Sequence, residues 1–166
     1  MAADEVVPHV GIRLSSGDML RLGMTREAAQ PSLEKDRHLQ VDFRGEPPVI
    51  AFIQSPKHWG TFNGIELFES GADEVIAAIV QRLGLDPAVY RPGRHEYYFP
   101  DLRMGLWRSC VSDVEGEQGY IFDCVSIHAP GYYDSRTLAF IRQQSGLPTA
   151  SEPEAERSAT PDQDHL

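Results

Sequence analysis

Short stretches in which apolar and polar residues alternate recur along this chain, separated by turns rich in glycine and proline. The clearest lies at residues 38–43, where Leu39, Val41 and Phe43 alternate with polar side chains. A period of two residues is typical of a strand with one buried face. Residues 49–53 are nearly all apolar, which predicts a central strand. Further strands are predicted at residues 9–14, 19–22 and 62–68.

Helices are expected between these strands. Thr25 is a suitable N-cap for the first, which Pro31 should kink or end. Ser70 and Asp73 have the spacing of a capping box before an apolar stripe, and Asp134 can cap a final helix over residues 135–144. The sequence therefore predicts an α+β fold, a mainly antiparallel sheet with two or three helices.

Two strands joined by the acidic loop 112–119 predict a hairpin. If it closes symmetrically, Arg108 lies opposite Asp123 as a pair of opposite charges. Cys110 and Cys124 then point to opposite faces and stay as thiols, whereas a slip of one residue would place both on the same face.

The chain of 166 residues has the usual size of one domain. We expect a single α+β domain over residues 1–148 and a disordered acidic tail over 149–166. Helix starts at similar places suggest two α-then-β halves, 10–68 and 69–146. Their sequence identity is very weak, and coincidence explains the similarity about as well.

The charge balance narrows the classes of partner. With 25 Asp and Glu against 15 Lys and Arg, the formal net charge is −10. Such a chain repels nucleic acid and anionic membranes and attracts basic proteins, although acidity also serves solubility alone. Residues 1–8 have neither a basic nor an apolar leader pattern, and every apolar stretch is short, so we expect a cytoplasmic protein that does not enter a membrane.

The chain carries no familiar catalytic or metal-binding motif. Its six histidines and two cysteines lack metal-ligand spacing, and it has neither a P-loop nor a dinucleotide fingerprint. We therefore expect no catalytic residue, metal or cofactor, and favour binding over catalysis. One alternative is a small enzyme or ligand-binding protein whose pocket is assembled from distant residues, and another is a non-catalytic regulatory module. The candidate pocket residues are His58, His95, Glu96 and Asp101.

Aromatic residues cluster in three predicted loops. Loop-borne Trp and Tyr are frequent hot spots of protein interfaces, although alternate members of such clusters also pack into cores. With their polar neighbours they form the predicted partner-binding set: His58, Trp59, Tyr97, Tyr98, Asp101, Tyr132, Tyr133 and Asp134.

Several segments together resemble a known kind of protein. They are Leu22–Glu27 (LGMTRE), Pro100–Arg108 (PDLRMGLWR), Ile121–Val125 (IFDCV) and Pro130–Asp134 (PGYYD). Over residues 10–145 the chain resembles small cytosolic actinobacterial proteins regarded as immunity proteins of polymorphic toxin systems. The helix-plus-sheet unit is also similar to that of the β-lactamase inhibitory protein and of a small outer-membrane assembly lipoprotein, but the chain lacks a lipidation signal and the disulfides of secreted inhibitors.

The resemblance implies a function but no catalytic residue. It implies a protein that neutralises a basic toxin or effector by steric and electrostatic blocking. Its oligomeric state stays open.

Overall fold

The computed structural model describes residues 4–56 and 60–148. His58 and Trp59 of the predicted partner-binding set, and the predicted tail 149–166, lie outside the described residues. The described part contains three α-helices and two sheets, each of five strands. Most strand pairs are antiparallel, so the predicted α+β class with its mainly antiparallel sheet is confirmed.

The strands are β1 (Asp4–Val7), β2 (Gly11–Arg13), β3 (Met19–Arg21), β4 (Gln40–Arg44), β5 (Val49–Pro56), β6 (Gly60–Phe62), β7 (Ile65–Glu66), β8 (Glu96–Phe99), β9 (Met104–Trp107) and β10 (Cys124–His128). The helices are α1 (Arg26–Lys35), α2 (Ala72–Leu83) and α3 (Ser135–Gln144), and a short 3₁₀ turn spans Pro100–Leu102.

The first sheet has the strand order β3-β2-β1-β6-β7. Its β1–β6 pair is parallel, and its other neighbours are antiparallel. The single strand predicted at residues 62–68 is wrong, because β6 and β7 form a hairpin there. Asn63 and Gly64 form its turn with φ of 50° and 77°, left-handed values that Asn and Gly tolerate best.

The second sheet has the order β4-β5-β10-β9-β8, with all neighbours antiparallel. Leu106 lies opposite Val125, as symmetric closure of the hairpin predicts. Both strands are shorter than expected, because the chain leaves the ladder after Trp107 and joins it at Cys124. Both cysteines are free.

The charge pair predicted between Arg108 and Asp123 is wrong. Arg108 is fully buried, and its guanidinium binds Asp73 of α2 at 2.9 Å. The Asp123 carboxylate accepts a hydrogen bond from the backbone N–H of Ser109 at 2.6 Å instead. A fully buried guanidinium needs acceptors around it, and the interior supplies them where the hairpin loop would not.

The first and last helices begin where the sequence predicts. The hydroxyl of Thr25 accepts from the N–H of Ala28 at 3.3 Å, and the carboxylate of Asp134 accepts from Thr137 at 2.7 Å. Helix α1 continues through Pro31, so of the two predicted effects, a kink or the end of the helix, the second is excluded. The carbonyl that loses its helical donor belongs to exposed Glu27, where water can replace the lost hydrogen bond.

The capping box predicted for α2 is wrong. Gly71 is the N-cap and makes no side-chain cap bond. The ring of Tyr120 packs against it so closely that a Cβ on Gly71 would lie 2.9 Å from the ring. A tertiary contact thus decides this helix start, and the carboxylate of Asp73 turns to Arg108.

Both sheets and the apolar face of α2 contribute to one hydrophobic core. In β10, Val125 and Ile127 belong to that core, so the alternate residues Cys124, Ser126 and His128 lie on the opposite face of the sheet. Among residues 4–56 and 60–148, no helix combines the length and the apolar character needed to cross a membrane.

Candidate functional site

The candidate site lies on the face of the second sheet that is turned away from the core. Strand register places side chains on this face in rows. Glu96 is opposite Trp107, which is opposite Cys124, which in turn is opposite Pro56. The neighbouring row consists of Tyr98, Gly105, Ser126 and Gln54.

A cleft of about 450 Å³ opens between these rows. Gly105 lines it without a side chain, and a Cβ there would lie 3.1 Å from the hydroxyl oxygen of Ser126. Trp107 and Tyr133 are aromatic members of its lining, and Trp107 is 44% exposed. The cleft is therefore open to solvent, and Gly105 contributes no side chain that would fill it.

The loop 130–134 folds over one end of this sheet face. The ring of Tyr132 stacks on Phe52 at 5.1 Å, and its hydroxyl donates to the carboxylate of Asp42 at 3.1 Å. The ring of Tyr133 meets that of Tyr132 edge-on at 4.7 Å and contacts His128 at 4.8 Å. These contacts hold Tyr133 at the cleft.

Tyr133 is a neutral phenol in this setting. Burial raises its pKa to about 12, and the negative charge of nearby Glu96 acts in the same direction. It can therefore donate a hydrogen bond into the cleft, but it does not supply a negative charge at neutral pH.

His128 and Tyr98 form a buried pair next to the cleft. The Nδ1 of His128 lies 2.9 Å from the carbonyl of Ala129, so this nitrogen carries the proton and donates. Nε2 then accepts from the hydroxyl of Tyr98 at 2.8 Å. Burial, as the main cause, lowers the pKa of His128. The imidazole is thus neutral, and both of its nitrogens are already engaged.

Two carboxylates line the cleft, Glu96 and Asp123. Asp123 is anchored by the N–H of Ser109. Glu96 is half-buried, and within the described ranges no hydrogen-bond donor or cation reaches its carboxylate. Burial accordingly raises the pKa of Glu96.

Cys124 is a poor nucleophile where it stands. Burial raises the pKa of its thiol to about 11, and the carboxylates of Asp123 and Glu96 add to that effect. A nucleophilic cysteine needs a lowered pKa, so this residue acts as a small apolar part of the cleft wall.

The predicted partner-binding residues are distributed unevenly. Tyr97 and Tyr98 lie in β8 rather than in a loop, and both are buried. Tyr132 and Tyr133 lie in the expected loop, of which Tyr133 lines the cleft, and Asp134 directly after them caps α3. Asp101 is exposed in the 3₁₀ turn and lines a different groove of about 180 Å³. Contact of this set with a partner stays a prediction.

The pocket residues of the alternative hypothesis do not come together in the described part of the chain. Glu96 lines the cleft, whereas exposed His95 lies directly before β8 with its Nδ1 3.3 Å from the carbonyl of Arg108. Asp101 is in the separate groove, and His58 lies outside the described residues.

Sequence reasoning named Glu96 and Tyr133 as candidate site residues and missed the other residues that line the cleft, among them Gly105, Trp107 and Asp123. The sequence does contain a pattern that indicates an outward-facing Trp107. Met104 and Leu106 alternate as core residues, so Gly105 and Trp107 had to face outward on the same strand. An outward tryptophan next to an outward glycine on an interior strand indicates a binding surface.

Over residues 4–56 and 60–148, no three His, Cys, Asp or Glu side chains are grouped so that they could hold a metal ion. Comparisons of the chain with protein-family models, curated proteins and solved structures found no match.

Proposed function

We propose that this chain is a protein-binding protein of the immunity type, which neutralises a cognate toxin by covering it with the open face of the second sheet. Inhibition is steric and electrostatic: the bound sheet face blocks the toxin surface, and the carboxylates match a basic patch on it.

The observation that carries the proposal is the composition of the cleft. An exposed tryptophan, Trp107, lines the cleft together with the carboxylates of Glu96 and Asp123. Exposed aromatic anchors beside charged groups are typical of interface hot spots. The formal net charge of −10 favours fast association with a basic protein. The toxin is proposed as partner because of the sequence resemblance.

Co-expression with the product of the adjacent gene tests the proposal. The full chain should restore growth to cells that produce the adjacent gene product, and it should co-purify with that product. Trp107→Ala should weaken the complex by roughly thirtyfold, the effect of about 2 kcal/mol expected for a hot-spot aromatic.

Phe140→Ala is the matched control, because Phe140 is a 60% exposed aromatic on α3 and does not line the cleft. It should leave rescue unchanged. Absence of both rescue and co-purification for the full chain would overturn the proposal. Equal effects of Trp107→Ala and Phe140→Ala would show that the open face of the second sheet is not the binding surface.

A second candidate function is binding of a small molecule, in a pocket assembled from distant residues. The volume of about 450 Å³ favours it, because ligand pockets of proteins fall in this range. Native mass spectrometry of the purified chain tests this candidate. A mass excess that disappears on denaturation and is absent from a Gly105→Val variant would support it, and a bare chain mass would count against it.

A further inference from the structure

We infer that the cleft of the second sheet is a binding site for a guanidinium group, supplied by an arginine side chain of the protein partner. The inference rests on the proposed function only in taking this group from a protein; the site itself is argued from the cleft.

The charge of the cleft calls for a cation. Glu96 and Asp123 both line it, and no Lys, Arg or His is among its lining residues within the described part of the chain. Asp123 already accepts one backbone hydrogen bond, but the Glu96 carboxylate has no donor there. A half-buried carboxylate without a donor loses hydration and gains nothing in return, so a cation entering the cleft stabilises it.

The aromatic residues select the shape of that cation. Trp107 is directly opposite Glu96 in the strand register, so a group bound to the carboxylate lies against the indole. Tyr133 adds a second aromatic ring, together with a phenol hydroxyl, to the lining of the cleft. A flat guanidinium can form two hydrogen bonds to a carboxylate while its face stacks on an aromatic ring.

An ammonium group fits less well. It is a compact and strongly hydrated charge that cannot stack, and a half-buried site would strip its water. The neutral acceptors Gln54 and Ser126 lie in the row next to Glu96 and Trp107 and can receive the remaining guanidinium N–H groups. The cleft therefore favours arginine over lysine.

Titration of the ¹⁵N-labelled full chain with three small probes tests the site, with NMR of the Trp107 indole N–H as the readout. The probes are N-acetylargininamide, N-acetyllysinamide and N-acetylcitrullinamide, which has the shape of the arginine probe without its charge. We expect saturable shifts with the arginine probe at a dissociation constant of about 1 mM, the range for a ligand of this size. The lysine and citrulline probes should bind roughly fivefold or more weakly, because each loses stacking or charge.

Glu96→Gln and Glu69→Gln are the matched variants, since Glu69 is an exposed carboxylate that does not line the cleft. Glu96→Gln should weaken the arginine probe by about tenfold, the loss expected for a charge-assisted hydrogen bond, whereas Glu69→Gln should not weaken it. Equal binding of arginine and citrulline probes, or unchanged binding to Glu96→Gln, would overturn the inference.

The result separates this inference from the proposed function. Binding of the arginine probe without rescue in the co-expression assay would retain the cation site and overturn the immunity role. Rescue without any binding of the arginine probe would retain the immunity role and overturn the cation site.

Discussion

Two carboxylates of this protein have opposite surroundings. One oxygen of Asp73 accepts from the guanidinium of Arg108 at 2.9 Å and from the N–H of Gly93 at 3.0 Å. Glu96 receives no such donor within the described residues. A carboxylate with its partners supplied stabilises the fold, whereas a half-buried one without them destabilises it and is a candidate for binding.

Replacing Glu96 by Gln should raise the free energy of unfolding at pH 7. Burial raises the pKa of Glu96 in the folded protein above its ordinary value of 4.5. At pH values between 4.5 and the higher pKa of the folded protein, the folded state binds more protons than the unfolded state. Stability therefore falls as the pH rises through this range. Glutamine removes that loss. Urea denaturation at pH 7 should show the gain, and at pH 4 the gain should be small because the carboxyl is then mostly protonated in both states.

A loss of stability in Glu96→Gln at pH 7 would contradict this prediction. It would mean that a cation of the chain itself already neutralises the carboxylate, and the guanidinium site would then lose its main support.

Removing the side chain of Arg108 should lower the free energy of unfolding strongly. Its fully buried guanidinium donates to Asp73, to the carbonyl of Arg94 at 2.8 Å and to that of Gly119 at 3.0 Å. Arg108→Met should lower the free energy of unfolding by about 3–5 kcal/mol, because it leaves these acceptors without a donor.

Urea denaturation also supplies the control for Arg108. Arg82→Met removes an exposed arginine that donates to one backbone carbonyl, of Asn63, and should cost much less. Similar losses in both variants would show that Arg108 does not tie α2 to the loops around it.

Among the helices and strands, those whose position depends on neighbouring residues in the chain were predicted correctly from the sequence. Asp134 and the periodic residues after it give α3 from Ser135 to Gln144, and symmetric closure of the acidic loop gives the register of β9 and β10. Both outcomes depend on residues close together in the chain. The same holds for the loop that carries Tyr133 to the cleft.

Contacts between distant segments decided the rest. Tyr120 packs on Gly71 and displaces the predicted cap of α2, and β1 pairs in parallel with β6 although no local signal marks it. The cleft escaped prediction for the same reason. Its shape depends on which residues of four strands stand side by side, and a single stretch of sequence does not contain that information.

Asp134 links an element to the site, because it caps α3 directly after Tyr133. Asp134→Ala should lower both the free energy of unfolding and the affinity for N-acetylargininamide, since the cap bond to Thr137 orients the loop. Asp134→Asn should retain most of both, as asparagine caps equally well. Urea denaturation and the NMR titration measure the two effects, and an equal loss in both variants would contradict the capping role.

The Asp134 effect should depend on pH. The backbone N–H of Thr137 lowers the pKa of Asp134 in the folded protein below its ordinary value of 3.8. The stabilisation is therefore present above pH 3.8 and is lost as pH falls through the lower, folded value. The difference in stability between the wild-type chain and Asp134→Ala should shrink in this acidic range, and a constant difference would contradict it.

At the scale of the whole molecule, distant parts of the chain depend on each other. The second sheet places β5, from the first part of the chain, beside β10 from the later part. The cleft combines the same parts, since Gln54 comes from one and Trp107 from the other. Neither part can complete the sheet, the core or the cleft alone.

Separate expression of residues 1–68 and 69–166 should therefore give two chains that do not fold cooperatively. Without β10, the buried side chain of Ile53 on β5 would be exposed to water, and the buried Val125 on β10 would in turn lose its neighbour strand β5. Circular dichroism during urea titration should show a single sharp transition for the full chain and none for either fragment. A native-like spectrum with a cooperative transition in one fragment would show that this part folds on its own. The cleft would then be a surface between two independent units, and its residues would not share the stability of a common core.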